Sequence, residues 1–156
     1  MKRVLSTLLF GILAVTMMAA CDSNEDEGSS DLDQLVGVWN VTAVSDANGD
    51  QTALFQLLGT IQITLNEDQT YRLLIDRADP TADDTDLPGS FTIDEAVKQL
   101  ILSVTLEAGT IPVAFGYEIL NEQQTTMSIS ALLLSGVLTE VSGLLSGTVV
   151  MTLTRA

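Results

Sequence analysis

Cys21 is the one thiol in the chain, and the sequence contains no histidine. Those two facts bound the chemistry. Without imidazole, proton transfer near neutral pH and the commonest form of metal ligation lose their usual agent. With one cysteine, neither an intramolecular disulfide nor a thiolate metal site can form. Serines are plentiful, but none has a histidine or a suitable lysine to activate it. Asp83-Asp84 and Asp94-Glu95 are adjacent carboxylates, yet neighbours on a strand point to opposite faces, so no catalytic dyad is implied. Asp46-Ala47-Asn48-Gly49-Asp50 has the opening of a calcium loop, but Gln51 stands where glycine is required and Leu57 where the bidentate glutamate belongs. An Asn-Gly turn accounts for it better. Five aspartates lie in the stretch 76–86; they could gather calcium, or form a solvated acidic loop, which is the ordinary reading. The expectation is a non-catalytic protein with no metal site and no cofactor.

The 156 residues include 6 basic and 21 acidic ones, for a net charge of −15. Lys2 and Arg3 sit in an N-terminal segment destined for removal, which leaves four basic residues against 21 acidic, a balance of −17. Such a surface repels phosphate backbones and anionic headgroups. Nucleic acid is therefore excluded as a partner, and so is membrane adhesion through a basic patch. An excess of acid this large is also what a protein adapted to high salt would carry, since screening relaxes self-repulsion; an acidic secreted protein of no special habitat is the alternative. The size fits one domain, expected to be monomeric.

Met1-Lys2-Arg3 supplies a positive start, Val4 to Ala20 is an uncharged apolar run, and Met18-Ala19-Ala20-Cys21 ends it with small residues before cysteine. This resembles the lipobox of bacterial lipoproteins, with Met18 where that family prefers leucine. The resemblance implies a signal peptide over residues 1–20, cleavage before Cys21, and a diacylglycerol on its sulfur with a further acyl chain, palmitate or similar, on the new amino terminus. Several acyl chains, at about 0.8 kcal/mol per buried methylene, make the membrane attachment effectively permanent. Residues 21–34 then form an acidic disordered tether: half of residues 22–33 are acidic and one is apolar, too little to build a core. Acid-rich stretches after the cysteine resemble surface-export tags of the Bacteroidota, whereas aspartate directly after it resembles an inner-membrane retention signal of enteric bacteria. The acidity runs well beyond Asp22, which favours a lipid-anchored place in the cell envelope at the outer membrane and leaves the leaflet open.

The elements that must position any site begin at Leu35. Short runs of period two, broken by turn residues, predict strands at Val38–Val44, Thr60–Asn66, Thr70–Asp76, Ser90–Asp94, Gln99–Leu106, Pro112–Leu120, Thr125–Ser130 and Thr148–Thr154. Ile61, Ile63 and Leu65 face one side of the second run, and Thr60, Gln62 and Thr64 the other, so one face is buried and one wet. Links of about three or four residues join antiparallel neighbours. Eight strands in a meander suggest closure, which removes exposed edges. The fold class is all-β, an eight-stranded antiparallel up-and-down barrel. Two segments break the strand pattern. Residues 53–58 read as a helical turn, and Leu134, Leu138, Val141 and Leu145 place an apolar helix within 131–145, interrupted by Gly136 and Gly143. That helix would plug one barrel end, lid a ligand, or face lipid.

Leu35-Val36-Gly37-Val38-Trp39 opens the first strand, and Thr152-Leu153-Thr154-Arg155-Ala156 closes the chain. This resembles the lipocalins and related barrels, in which a Gly-x-Trp motif starts the first strand and an arginine late in the last strand lies across the tryptophan. The domain over 35–156 is thus expected to be lipocalin-like, with Trp39 and Arg155 as its barrel-closing pair. In an antiparallel closure the end of the last strand does lie beside the start of the first. By parity Trp39 shares a face with Val41 and Ala43, and Arg155 with Leu153 and Met151. Tyr71, Phe91, Phe115, Tyr117 and Met127 are expected to point inward and to line any cavity, whose ligand would be a small hydrophobic or amphipathic molecule. Side chains filling a narrow eight-stranded barrel completely are the alternative; the protein would then serve as a non-catalytic assembly or interaction module of the envelope.

Overall fold

The computed structural model describes residues 29–106 and 108–156. The expected signal peptide over residues 1–20, Cys21 and the expected tether up to residue 28 lie outside the described residues. Nine strands form one sheet: β1 (Gly37–Asp46), β2 (Gly49–Asp50), β3 (Gly59–Leu65), β4 (Thr70–Arg77), β5 (Thr85–Asp94), β6 (Gln99–Leu106), β7 (Gly109–Asn121), β8 (Gln124–Ser130) and β9 (Thr148–Arg155). β2 is a two-residue arm folded back on β1. The other eight follow one another around the sheet, all antiparallel, and β9 returns onto β1. The architecture is the closed eight-stranded meander that the sequence pattern called for.

Alternation decides which side chains go in. Ile61, Ile63 and Leu65 of β3 are buried and the residues between them face outward. Trp39, Tyr71, Phe91, Leu102, Val113, Phe115, Tyr117, Met127, Ile129 and Met151 are likewise buried in a single core. The parity expected for β1 fails at one place. A register shift between Val41 and Ala43 against β9 inserts an extra residue, and Val44 rather than Ala43 turns inward. A β-bulge of this kind increases local twist, as curvature around a narrow barrel requires.

β5 starts five residues earlier than the Ser90–Asp94 strand expected from the alternation. Thr85 to Ser90 pairs with β4, and Ser90 to Asp94 pairs with β6, so the strand changes partners at a corner. Pro88 sits in the half that pairs with β4 alone, where a missing N–H is tolerated. Gly89 lies on the Tyr71 ring: an added Cβ would come within 2.5 Å of a ring carbon and 2.6 Å of the Ser103 carbonyl.

Three short helices close the barrel's ends. α1 (Asp31–Leu35) occupies part of the stretch assigned to the tether by composition. Its start is a capping box: Asp33 N–H donates to Ser30 Oγ at 3.2 Å, and Ser30 N–H to the Asp33 carboxylate at 3.2 Å. Leu35 at its far end is fully buried. α2 (Thr52–Leu58) follows the β1–β2 hairpin. α3 (Ala131–Val137) is half the length that the leucine spacing implied. It gives way at Leu138 to a 3-10 turn at Thr139–Val141, and Gly143 adopts φ +75°. Leu134, Leu138, Val141 and Leu145 are all buried as their spacing requires, but on a helix, a turn and a loop in succession.

Strand directions separate the elements into two groups. α1, the β3–β4, β5–β6 and β7–β8 turns and the end of β9 share one end of the barrel; α2, α3, the β1–β2 hairpin and the β4–β5 loop share the other.

Candidate functional site

At the α1 end, Trp39 and Arg155 are register partners across β1 and β9, and the guanidinium carbon lies 4.7 Å from the indole centroid. Gly37 adopts φ +145°, and a Cβ there would stand 3.2 Å from the Arg155 guanidinium, which is why the motif begins with glycine. Both partners also hold the last turn of α1. Trp39 Nε1 donates to the Leu35 carbonyl at 2.7 Å, and Arg155 Nη2 to the Gln34 carbonyl at 2.8 Å. These are the orphan acceptors of a helix C-terminus, where a cation is favoured.

The first turn of α1 is held as well. The Asp31 carboxylate accepts from Lys98 Nζ at 2.5 Å and from the Tyr117 hydroxyl at 2.5 Å, and the lysine stands 5.9 Å from the Tyr117 ring centre. Burial works to raise the Asp31 carboxyl, but the hydrogen bonds from Lys98 and Tyr117 and the lysine charge outweigh it and hold it below its ordinary value. Burial, reinforced by the Asp31 carboxylate, pushes the Tyr117 phenol well above its own. The Trp39 indole, Arg155 Nη2, Lys98, Tyr117 and Asp31 all fasten α1 over this end of the barrel, while Arg155 Nε is buried without a hydrogen-bond partner.

At the other end the barrel holds a cavity of about 40 Å³ with an apolar lining. Phe55 of α2 and Leu134 and Leu138 of the α3 segment roof it; Tyr71 and Phe115 are in its walls. The Tyr71 hydroxyl donates to the Ser103 carbonyl at 3.2 Å, and burial raises the phenol above its ordinary value. Phe91, Tyr117 and Met127, expected from parity to line the same space, do not. Phe91 is buried beside Leu102 and Met127 between Tyr117 and Met151 in the ladder, but neither reaches the lining, and Tyr117 is at the α1 end. Period two reports the face of a sheet and not the height along the barrel axis, so inward residues from both ends looked alike. The roof residues were visible as a helical stripe, but nothing local said which cavity the stripe covers.

The roof is latched. Ser146 N–H donates to Asp46 Oδ2 at 2.8 Å and Asn48 Nδ2 to Ser146 Oγ at 2.9 Å, so the loop after α3 is tied to the β1–β2 hairpin. Asp46 also accepts from Asn48 N–H at 2.7 Å, which makes the aspartate a turn residue and latch. Burial opposes the lowering of its carboxyl, but the N–H groups of Ser146 and Asn48 and the Gln51 and Asn48 amides prevail and hold it below its ordinary value. On the opposite rim, Ala78 N–H donates to the Leu58 carbonyl at 3.2 Å, joining the acidic β4–β5 loop to α2. Asp79 accepts from Thr81, Asp84 from the Arg77 N–H, and Asp86 pairs with Arg72 at 2.8 Å. Among the described residues no three such side chains converge as cation ligands.

No protein-family model matches the chain, and no curated protein matches it. Among solved structures, a lipocalin-like protein from Bacteroides uniformis ATCC 8492 superposes with a TM-score of 0.47 at 10% identity, covering 79% of this chain and 99% of that one. The siderocalin Ex-FABP, described as functioning through dual ligand specificities, gives 0.30 at 9% identity, covering 79% and 74%. The architecture rests on the chain's own strand pairing and end closure: the described residues form a closed eight-stranded antiparallel meander barrel.

Proposed function

We propose that this protein is a lipid-anchored, non-catalytic component of the cell envelope whose barrel binds a small hydrophobic or amphipathic molecule beneath α3. A lipocalin-like barrel suits small-molecule binding in general. The observation that carries the proposal is an apolar cavity roofed by a helix that belongs to no strand ladder. At about 10–15 Å³ for one water, a cavity of about 40 Å³ holds little, whereas ligand pockets reach several hundred Å³. A ligand must therefore displace Leu134 and Leu138. Doing so breaks no strand pairing. The anchor is the acylated Cys21. The chain joins the barrel at its α1 end, so the anchor would attach on that side.

One observation favours the second reading, a filled barrel that docks other proteins: Leu57 of α2 and Leu132 of α3 point outward, 77% and 84% exposed. A single experiment separates the two. The full mature protein is titrated with the uncharged dye N-phenylnaphthylamine and examined by native mass spectrometry for a copurifying molecule. Saturable dye binding that Leu134→Ala strengthens and that Leu73→Phe, which enlarges a lining side chain on β4, weakens, with both variants melting cooperatively, supports the pocket. No copurifying molecule and no dye binding, in the natural protein or in Leu134→Ala, leaves the docking module. Acylation is read separately: an alkyne-palmitate label should enter the protein and vanish in Cys21→Ser.

A further inference from the structure

We infer that the roofed pocket selects by charge, admitting uncharged and cationic single-chain amphiphiles and rejecting anionic ones such as free fatty acids. The inference rests on the pocket being the ligand site and adds what that site discriminates. Two independent features carry it. Inside, the lining contains no lysine or arginine, and its one hydroxyl, on Tyr71, already donates to Ser103. A carboxylate drawn in would find no donor and would lose its hydration uncompensated.

At the mouth, the cation balance is equally one-sided. Among the described residues Lys98 and Arg155 are at the α1 end, which leaves Arg72 and Arg77 of β4. Against them stand Asp46 and Asp50 on the hairpin and Asp76, Asp79, Asp83, Asp84 and Asp86 around the β4–β5 loop. Asp86 is neutralised by Arg72, and Arg77 bonds to Thr85 at 3.0 Å. Asp79, Asp83 and Asp84 are exposed on the loop that is bonded to α2 through Leu58. An amphiphile whose chain fills the pocket must leave its head at this rim. There an anion is repelled and a cation attracted within a Debye length, about 10 Å at 0.1 M salt.

The test is displacement of N-phenylnaphthylamine from the full mature protein by four dodecyl compounds below their aggregation thresholds: dodecanol, dodecyltrimethylammonium, dodecanoate and dodecyl sulfate. Dodecanol and the ammonium should compete at concentrations about ten-fold lower than the two anions. The gap between cation and anion should shrink in high salt and in the isosteric triple variant Asp79→Asn, Asp83→Asn, Asp84→Asn. Dodecanoate competing as well as the ammonium, or a gap unchanged in the triple variant, overturns the charge inference and leaves the pocket standing. Failure of the dye to bind at all overturns both.

Discussion

Arg155 joins three parts of the chain: it stacks on Trp39, donates to the Gln34 carbonyl and crowds Gly37. Stacking contributes roughly 0.5–2 kcal/mol and a charged hydrogen bond roughly 1.5–3. Arg155→Ala should therefore lower unfolding free energy in urea by about 2–4 kcal/mol. Arg155→Lys should recover less than half of that, since an ammonium has neither the flat face nor the fork. Full rescue by lysine would show that charge alone matters. The Asp31 carboxyl is held low in the folded protein, so the unfolded chain binds its proton first as pH falls. Its stabilisation is complete above the unfolded value near 4 and disappears as pH drops through the depressed folded value. Tyr117 is the mirror case. Its raised phenol stabilises fully below about pH 10, and the effect is lost as pH climbs through the folded value. Melting temperature followed against pH should flatten on the acid side in Asp31→Asn and on the alkaline side in Tyr117→Phe. Unaltered profiles would mean that α1 is not held by this contact.

The helices differ in what holds them. α1 is fastened at both ends by side chains from three strands and the β5–β6 turn, through Trp39, Tyr117, Arg155 and Lys98. α3 has its Ser130 cap, the apolar contacts of Ala131, Leu134 and Leu138, and the Asp46–Ser146 latch. Elements with few buried contacts and exposed backbone open first. Removing the latch with Asp46→Ala should speed amide exchange several-fold across residues 131–147 while leaving β3 to β7 protected. Equal acceleration throughout the barrel would mean that the roof and the sheet open as one unit. If the proposed ligand enters beneath the roof, the same variant should also bind the neutral dye faster.

At the scale of the molecule, a net charge of −15 means that folding gathers like charges. Raising salt from about 20 mM to about 1 M should increase the melting temperature by several degrees, since the Debye length shrinks from tens of Å to about 3 Å. A melting temperature independent of salt would show that self-repulsion is negligible. The two ends of the barrel divide the work: one end uses its polar groups to fix α1, while the other leaves an apolar space under a short helix.

Much of this architecture is written locally. Alternation in Ile61-Gln62-Ile63-Thr64-Leu65 and its counterparts declared the strands and their inward faces, and brief links made them antiparallel, because a pleated strand with one wet face has little choice. α1 was also local in its cause, a Ser30–Asp33 capping box, but it was masked by the acidity around it. Other features depend on residues far apart in the chain. Gly89 is a strand corner only because Tyr71 lies beneath it; Val44 turns inward because β9 imposes a bulge. The height of each inward side chain is set by the stagger of the closed sheet, so Tyr71 came to a cavity and Tyr117 to a helix clasp from identical alternating patterns. The sequence by itself determined an acidic, all-β chain with its inner and outer faces assigned. Only the tertiary structure decided which inner residues meet, because register around a barrel is a property of all its strands together.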